Sequence, residues 1–118
     1  MIEIELDPKI IWAFHQTDRI SKGLVDEITT NGWKNIKRVP VFQIPDHVKR
    51  FNFEFILIDG NHRRNVAEYL ENLLPCALFS IGERVDLTVH NLAYFRHHDD
   101  SRLYEKLLTA FKKNKLKY

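Results

Sequence analysis

The sequence predicts an α+β fold in which helices pack on one small mixed sheet. Three observations predict it. Apolar residues alternate with period two over 1–6, which is typical of a strand with one buried face. A nearly all-apolar run over 53–58 is typical of a strand buried on both faces. Elsewhere apolar residues recur at helical spacing.

Length and composition bound the class of protein. The 118 residues suit one domain, 1–118, with a core over about 17–82 and a C-terminal helix over about 100–115. A content of 44% hydrophobic and 29% charged residues is ordinary for a soluble globular protein. The net charge of +2 does not by itself indicate a general nucleic-acid binder.

Cysteine usage and hydropathy bear on location. A single cysteine excludes an intrachain disulfide and fits a reducing compartment. The apolar stretches are too short to cross a bilayer, and the N-terminus lacks a targeting pattern. We therefore expect a cytoplasmic protein without a membrane partner.

The N-terminal third predicts a strand and then a helix, separated by segment 8–14, which fits either a helical turn or an extended stretch. Thr17 or Asp18 can cap a helix that runs to about Thr30, and Gly32 offers a left-handed stop. Inside this helix Gly23 lowers helix stability by about 1 kcal/mol relative to alanine. We therefore expect another backbone or a ligand near it. The residues expected to face the core are Ile20, Leu24 and Ile28.

The middle of the chain predicts two strands joined by a polar loop. Residues 39–44 are predicted to form the first strand. Pro40 indicates either the start of this strand or a strand at the edge of the sheet. Residues 45–52 are the connection. The run 53–58 is expected to be central and covered on both faces.

A second helix is predicted from a cap at Asn61 to about Asn72. Arg64 and Glu68 are four residues apart and can pair on its surface. The expected inward stripe is Val66, Tyr69, Leu70 and Leu73.

The C-terminal third predicts a strand and a final helix. The strand begins at Pro75 and ends near Gly82, and a short helix is expected within 85–95. Asp99, Asp100 or Ser101 can cap the last helix. Its apolar residues at helical spacing are Leu103, Leu107, Leu108 and Phe111.

The junction between run 53–58 and the second helix carries the strongest functional pattern. A sharp strand-to-helix turn leaves free backbone N–H groups, and the helix dipole adds partial positive charge. Cationic side chains there oppose the dipole, but they suit a bound anion such as a nucleotide phosphate. Gly60 allows close backbone approach, His62 can donate a hydrogen bond, and Arg63 can make a two-pronged contact. The alternative is a partly buried His62 and an Arg63 that pairs with Asp59.

The residues Asp59-Gly60-Asn61-His62-Arg63 resemble the D-G-H-H-R or G-x-H-R motif of the ParB/sulfiredoxin superfamily. Segments 20–28, 39–41 and 65–79 resemble its first helix, its P-[IV]-x-V strand and its helix before I-P-x-x-V. The resemblance covers roughly 17–82 and implies a compact ParB/sulfiredoxin-like α+β fold.

The resemblance also implies a nucleotide-binding protein that holds the phosphates of ATP or CTP, with Mg²⁺ as the accompanying ion. The reaction would be nucleotide hydrolysis or small-molecule phosphoryl transfer. Asp59 or Glu27 would orient the metal or the acceptor. The phosphate-binding residues it implies are Gly60, Asn61, His62, Arg63, Arg64 and Lys22, although Lys22 is displaced from the family's register and Gly23 replaces its serine.

Two departures from the family narrow the function. Asn61 stands where sulfiredoxins need a cysteine, and Cys76 falls in an expected buried strand, so sulfinic acid reduction is not expected. No helix-turn-helix or dimerisation domain follows, so centromere binding is not expected either.

Two further functions stay open. One is a DNA-associated, nuclease-like module that uses Lys49, Arg50 and the basic residues 112–118 for phosphate contacts. In that function Phe51 or Phe53 would stack on a base, and the cluster 97–100 with His90 would hold a metal. The other is a degenerate scaffold that serves only as an interaction domain.

Overall fold

The computed structural model describes residues 1–14, 19–80 and 100–113. Within them a mixed sheet of five strands has the order β1-β5-β3-β4-β2, and three α-helices pack on it, which confirms the small α+β fold. The strands are β1 (Ile2–Leu6), β2 (Ile11–Ala13), β3 (Val39–Gln43), β4 (Phe55–Leu57) and β5 (Leu74–Phe79). The helices are α1 (Lys22–Asn31), α2 (Asn61–Tyr69) and α3 (Asp100–Lys113).

The ambiguous segment 8–14 contains a single 3-10 turn, Pro8–Ile10, that leads into β2. A second such turn, Asp46–Val48, lies in the loop between β3 and β4. β5 ends at Phe79, earlier than the predicted end near Gly82, because Ser80 is no longer part of the strand. The short helix predicted within 85–95 and the cluster 97–99 lie outside the described residues. No helix in the described ranges is long and apolar enough to span a membrane.

The two faces of the sheet follow from alternation along the strands. Trp12, Phe42 and Ile56 point to the face covered by α3. Their neighbours Ile11, Val41 and Leu57 point to the opposite face, which α2 covers through Ala67. Full burial of each large apolar side chain contributes roughly 1.5–3 kcal/mol, so both layers stabilise the sheet. The expectation that β4 is central and covered on both faces is confirmed.

Pro40 was expected at a strand start or at a sheet edge. It is the second residue of β3, which confirms the strand start, whereas the sheet edge was wrong because β3 is the middle strand of the five. Its neighbours are β5, in parallel, and β4, antiparallel. The Ile58 N–H donates to the Pro40 carbonyl at 2.9 Å. Proline has no N–H to return that bond. The β3–β4 ladder therefore begins only at Val41 and Leu57.

The predicted start of α1 was wrong. The helix begins at Lys22 because the Ser21 hydroxyl accepts the Leu24 N–H at 3.3 Å and caps the first turn. Ile20 precedes the helix and is 40% exposed, so it does not face the core. The stop is confirmed: Gly32 has φ of 70°.

Helix α2 is shorter than predicted. Gly60 occupies the cap position and Asn61 is the first helical residue. The helix ends at Tyr69, and Glu71 then adopts a positive φ of 56°. The expected stripe was therefore partly wrong: Val66 is buried together with Ala67, whereas Tyr69 and Leu73 are exposed. The predicted pair of Arg64 and Glu68 is confirmed, with Nη1 and Oε2 3.2 Å apart.

Helix α3 packs as predicted through Leu107 and Phe111, both buried. The Phe111 ring meets the Trp12 ring edge-on, with centroids 5.3 Å apart. Arg50 donates from Nη1 to the carbonyls of Phe111 and Lys112, at 3.4 and 2.8 Å. Since the last carbonyls of a helix have no intrahelical partner, Arg50 caps the C-terminal end of α3.

Cys76 lies fully buried on β5, as the sequence predicted. Burial is the main reason that its pKa is raised from 9.0 to about 12. An unfolded chain would release this proton at lower pH than the folded chain, so folding stability is lost as pH rises through that interval.

We predict that the free energy of unfolding of the wild type falls between pH 9 and pH 12, by up to about 1.4 kcal/mol per pH unit more than that of Cys76→Val. Valine keeps the apolar packing and has no titrating proton. Urea unfolding of both proteins across this range measures the difference. Parallel pH profiles would contradict the buried, protonated thiol.

Candidate functional site

The predicted strand-to-helix turn lies between β4 and α2. Gly60 adopts φ of 100° and ψ of 39°, the left-handed conformation that glycine tolerates best. The Asp59 carboxylate accepts the Gly60 N–H at 2.7 Å and closes the turn. The chain thereby passes from β4 to the helix within three residues, which places the N-terminus of α2 at the end of a central strand.

The first turn of α2 presents backbone N–H groups. The Gly60 carbonyl accepts the first helical hydrogen bond, from the Arg64 N–H at 3.0 Å. The N–H groups of Asn61, His62 and Arg63 come before it and have no intrahelical acceptor. They have no other acceptor within 1–14, 19–80 and 100–113. Three donors at the positive end of the helix dipole therefore share one turn.

The Arg63 guanidinium lies directly over Gly60. An added Cβ at Gly60 would come within 2.9 Å of Nη2 and 3.0 Å of Nε. The Nη1 group donates to the carbonyls of Lys37 and Arg38, at 2.6 and 3.4 Å. These bonds fix the guanidinium against the segment that leads into β3. Burial lowers the pKa of Arg63, and the charge of Asp59 opposes that effect.

Asp59 acts on this turn in two ways. Its carboxylate bonds to the turn backbone, as expected of a structural acid. Its charge also acts on Arg63, as a neighbouring counter-charge does. Any anion at the first turn of α2 would therefore meet both a guanidinium and a carboxylate.

The other predicted site residues are distributed differently. The His62 side chain is exposed and makes no hydrogen bond to the described residues, and Lys22 is exposed as the first residue of α1. Arg64 donates from Nε to the Ile11 carbonyl at 2.9 Å and pairs with Glu68, so it joins α2 to β2. The structure thus gathers Asp59, Gly60 and Arg63 around the turn, with His62 beside them.

Glu27 is used locally. Its carboxylate accepts hydrogen bonds from the side-chain amides of Asn31 and Asn35, at 3.1 and 3.3 Å. None of the described contacts connects it to the turn before α2. The expectation that another backbone packs on Gly23 was wrong, because a Cβ there would meet no described atom within 4 Å. The alternative expectation, a ligand near Gly23, stays a prediction.

The carbonyls of Lys37 and Arg38 were missed by sequence reasoning. Backbone carbonyls carry no residue-type pattern, and these two lie about 25 residues from Arg63 along the chain. The one available signal was the spacing of Gly60 and Arg63, since residues three apart lie on one helix face.

The residues expected to contact DNA are largely engaged within the protein. Lys49 pairs with Asp46 and Glu54, each at 2.9 Å, and Arg50 caps α3. Phe53 is buried, whereas Phe51 is exposed at a positive φ of 55°. In the described ranges, no three side chains of His, Cys, Asp and Glu type come together as a metal site.

Comparison with known sequences adds no relative: no protein-family model and no curated protein matches this chain.

We predict opposite effects for two glycine-to-alanine changes. Gly60→Ala should lower the free energy of unfolding by at least about 1–2 kcal/mol, because its Cβ meets the guanidinium and its φ is left-handed. Gly23→Ala should raise it by up to about 1 kcal/mol, because a helical position with open space gains propensity. Urea unfolding of both variants measures this. Equal effects would contradict the left-handed conformation and close contact at Gly60 together with the open space at Gly23.

Proposed function

We propose that this chain binds a nucleotide, ATP or CTP, through its phosphates at the first turn of α2, in the manner of a ParB/sulfiredoxin-like domain. One observation carries the proposal: three unpaired N–H groups lie at the start of α2 beside an arginine that is fixed over Gly60. The motif resemblance at residues 59–63 adds the expectation of a nucleotide.

The donor set suits a phosphate group. Helix N-termini bind anions because their free N–H groups and the dipole act together. Arg63 uses Nη1 for protein carbonyls, and its Nε and Nη2 lie over Gly60. A phosphoryl oxygen can accept from these two groups as well as from the backbone. Exposed His62 can add a donor from its ring.

Asp59 fits a role with Mg²⁺. A carboxylate next to a phosphate is repulsive unless a cation lies between them. Mg²⁺ is commonly held by one or two carboxylates plus phosphate oxygens, so a single acid suffices. Asp59 would contribute a carboxylate oxygen to such an ion.

Binding has more support than catalysis in this geometry. Hydrolysis or phosphoryl transfer needs a group that orients the attacking water or hydroxyl. Of the two acids expected to do so, Glu27 is bonded to two asparagines, which leaves Asp59 as the candidate. A DNA-associated module has less support, because Lys49 and Arg50 are engaged within the protein. A scaffold without ligands is the outcome if no nucleotide binds.

The experiment is calorimetric titration of the full chain with ATP, CTP and GTP, with and without Mg²⁺. We expect at least one nucleotide to bind, and His62→Ala to weaken it about tenfold through loss of one hydrogen bond to a charged oxygen. His62 is preferred to Arg63 for this test because Arg63 also bonds to the protein backbone.

The matched control is His47→Ala. His47 is an exposed histidine in the 3-10 turn before β4, and its replacement should leave nucleotide affinity unchanged. Absence of binding by all three nucleotides at millimolar concentration would overturn the proposal. Equal weakening by both substitutions would show that the nucleotide binds at another site.

A further inference from the structure

Strand β1 is an exposed edge of the sheet. Among the described residues it pairs only with β5. Side chains near its start are open to solvent on both faces of the sheet: Ile2 is 63% exposed on one face, and the Glu3 side chain is 63% exposed on the other. An exposed edge strand offers unpaired backbone groups on which another chain can form a new strand.

The pairing with β5 decides which backbone groups of β1 face outward. The Nη1 atom of Arg38 lies 3.4 Å from the Ile4 carbonyl oxygen and 3.1 Å from the Cys76 carbonyl oxygen. Ile4 and Cys76 are direct partners in the antiparallel ladder. Their two carbonyls can reach one nitrogen only if both point into the space between the strands. Because the pattern alternates, the N–H and C=O groups of Glu3 and Glu5 point to the open side.

A proline on β5 gives the same assignment independently. Pro75 lies directly opposite Glu5 and has no N–H. This position therefore cannot be one at which the two strands exchange both hydrogen bonds. The backbone groups of Glu5, and by the period of two those of Glu3, have no partner within 1–14, 19–80 and 100–113.

The face of β1 that carries the glutamates has excess negative charge. Glu3 and Glu5 both pair with Arg38, whose Nε and Nη2 lie 3.5 and 2.8 Å from their oxygens. One guanidinium balances only one of the two carboxylates. The opposite face is apolar and is open at Ile2. The edge therefore offers a cation site on one face and apolar surface on the other.

A second copy of β1 does not fit this edge. The strand reads Ile-Glu-Ile-Glu-Leu over residues 2–6. If two copies pair with their apolar rows on the same face, glutamates lie opposite glutamates in either strand direction. Like charges directly across two strands are destabilising. The complementary strand has basic residues opposite the glutamates and apolar residues opposite the isoleucines.

We propose that the edge of β1 binds an extended segment of another protein in which lysine or arginine alternates with apolar residues. The segment adds to the sheet as a new edge strand. Its backbone bonds to the outward groups of Glu3 and Glu5, its basic residues lie opposite these two glutamates, and an apolar residue covers Ile2. Backbone hydrogen bonds supply affinity in such complexes, and alternate side chains supply specificity. The proposal does not depend on nucleotide binding.

The first test is titration of the full chain with the synthetic peptide acetyl-Val-Lys-Val-Lys-Val-amide, followed by amide hydrogen exchange in ¹H–¹⁵N NMR spectra. In the free protein we expect fast exchange at the N–H groups of Glu3 and Glu5 and slow exchange at that of Ile4. Saturating peptide should slow exchange at Glu3 and Glu5, because both groups gain an acceptor. No binding at millimolar peptide would overturn the proposal, and so would binding that leaves both exchange rates unchanged.

The matched control peptide is acetyl-Lys-Lys-Val-Val-Val-amide, which has the same composition and charge without the alternation. It should bind at least about fivefold more weakly, because its lysines cannot both lie opposite glutamates while its valines cover the apolar row. Equal affinity of the two peptides would overturn the proposal, since attraction by charge alone would then explain the binding.

The second test changes the edge itself. Glu3→Lys should weaken binding of the alternating peptide about fivefold, because an attractive cross-strand pair becomes repulsive, while Glu5 keeps its bond to Arg38. The control is Glu105→Lys, the same change in charge at an exposed position of α3, which should change affinity by less than about twofold. Equal weakening by both substitutions would overturn the proposal.

Sedimentation velocity of the protein alone tests a second copy as the occupant. We expect no self-association through this edge, because glutamates would lie opposite glutamates. A concentration-dependent dimer in which the N–H groups of Glu3 and Glu5 become protected from exchange would assign the edge to a second copy and overturn the proposal.

Discussion

The position of the Arg63 guanidinium over Gly60 is the constraint on which the rest of this structure depends. The guanidinium fills the space that any side chain at residue 60 would need, and its Nη1 bonds to the carbonyls of Lys37 and Arg38. Helix α2 is thereby fixed to the segment entering β3, the middle strand of the sheet. The Arg38 side chain extends the connection to β1 through Glu5. One side chain on the first turn of α2 thus begins a chain of contacts that reaches the far edge of the sheet.

The same arrangement explains why cations occur where the helix dipole disfavours them. Arg64 is compensated by Glu68 and by the Ile11 carbonyl, so it serves packing of α2 against β2. Arg63 is only partly compensated, because its contacts are neutral carbonyls and the charge of Asp59. The adjacent arginines therefore have different roles. Arg64 holds the edge strand β2 in place, whereas Arg63 keeps donors beside the free N–H groups of the first turn of α2. That difference is the physical basis of the phosphate site that we propose.

Much of the fold was predictable because it follows from local periodicity. The nearly all-apolar run 53–58 predicted a strand that is covered on both faces, as β4 is, and the stripe through Leu107 and Phe111 matches the face of α3. The errors arose where tertiary pairing outweighs local preference. Pro40 can lie in the middle strand because its missing N–H falls before the β3–β4 ladder begins at Val41. The turn at residues 59–63 was predictable as a candidate site, but the partners of Arg63 are distant backbone carbonyls that no local pattern reveals.

The most direct measurement is a two-dimensional ¹H–¹⁵N NMR titration of the full chain with ATP and Mg²⁺. It resolves the backbone N–H groups of Asn61, His62 and Arg63 and the Nε–H of Arg63 individually. We expect downfield shifts of these signals that saturate together, because each donor gains a charged acceptor. Signals from the 3-10 turn before β4 should stay in place. Unchanged α2 signals while ATP shifts signals elsewhere would show that the nucleotide does not bind at this turn.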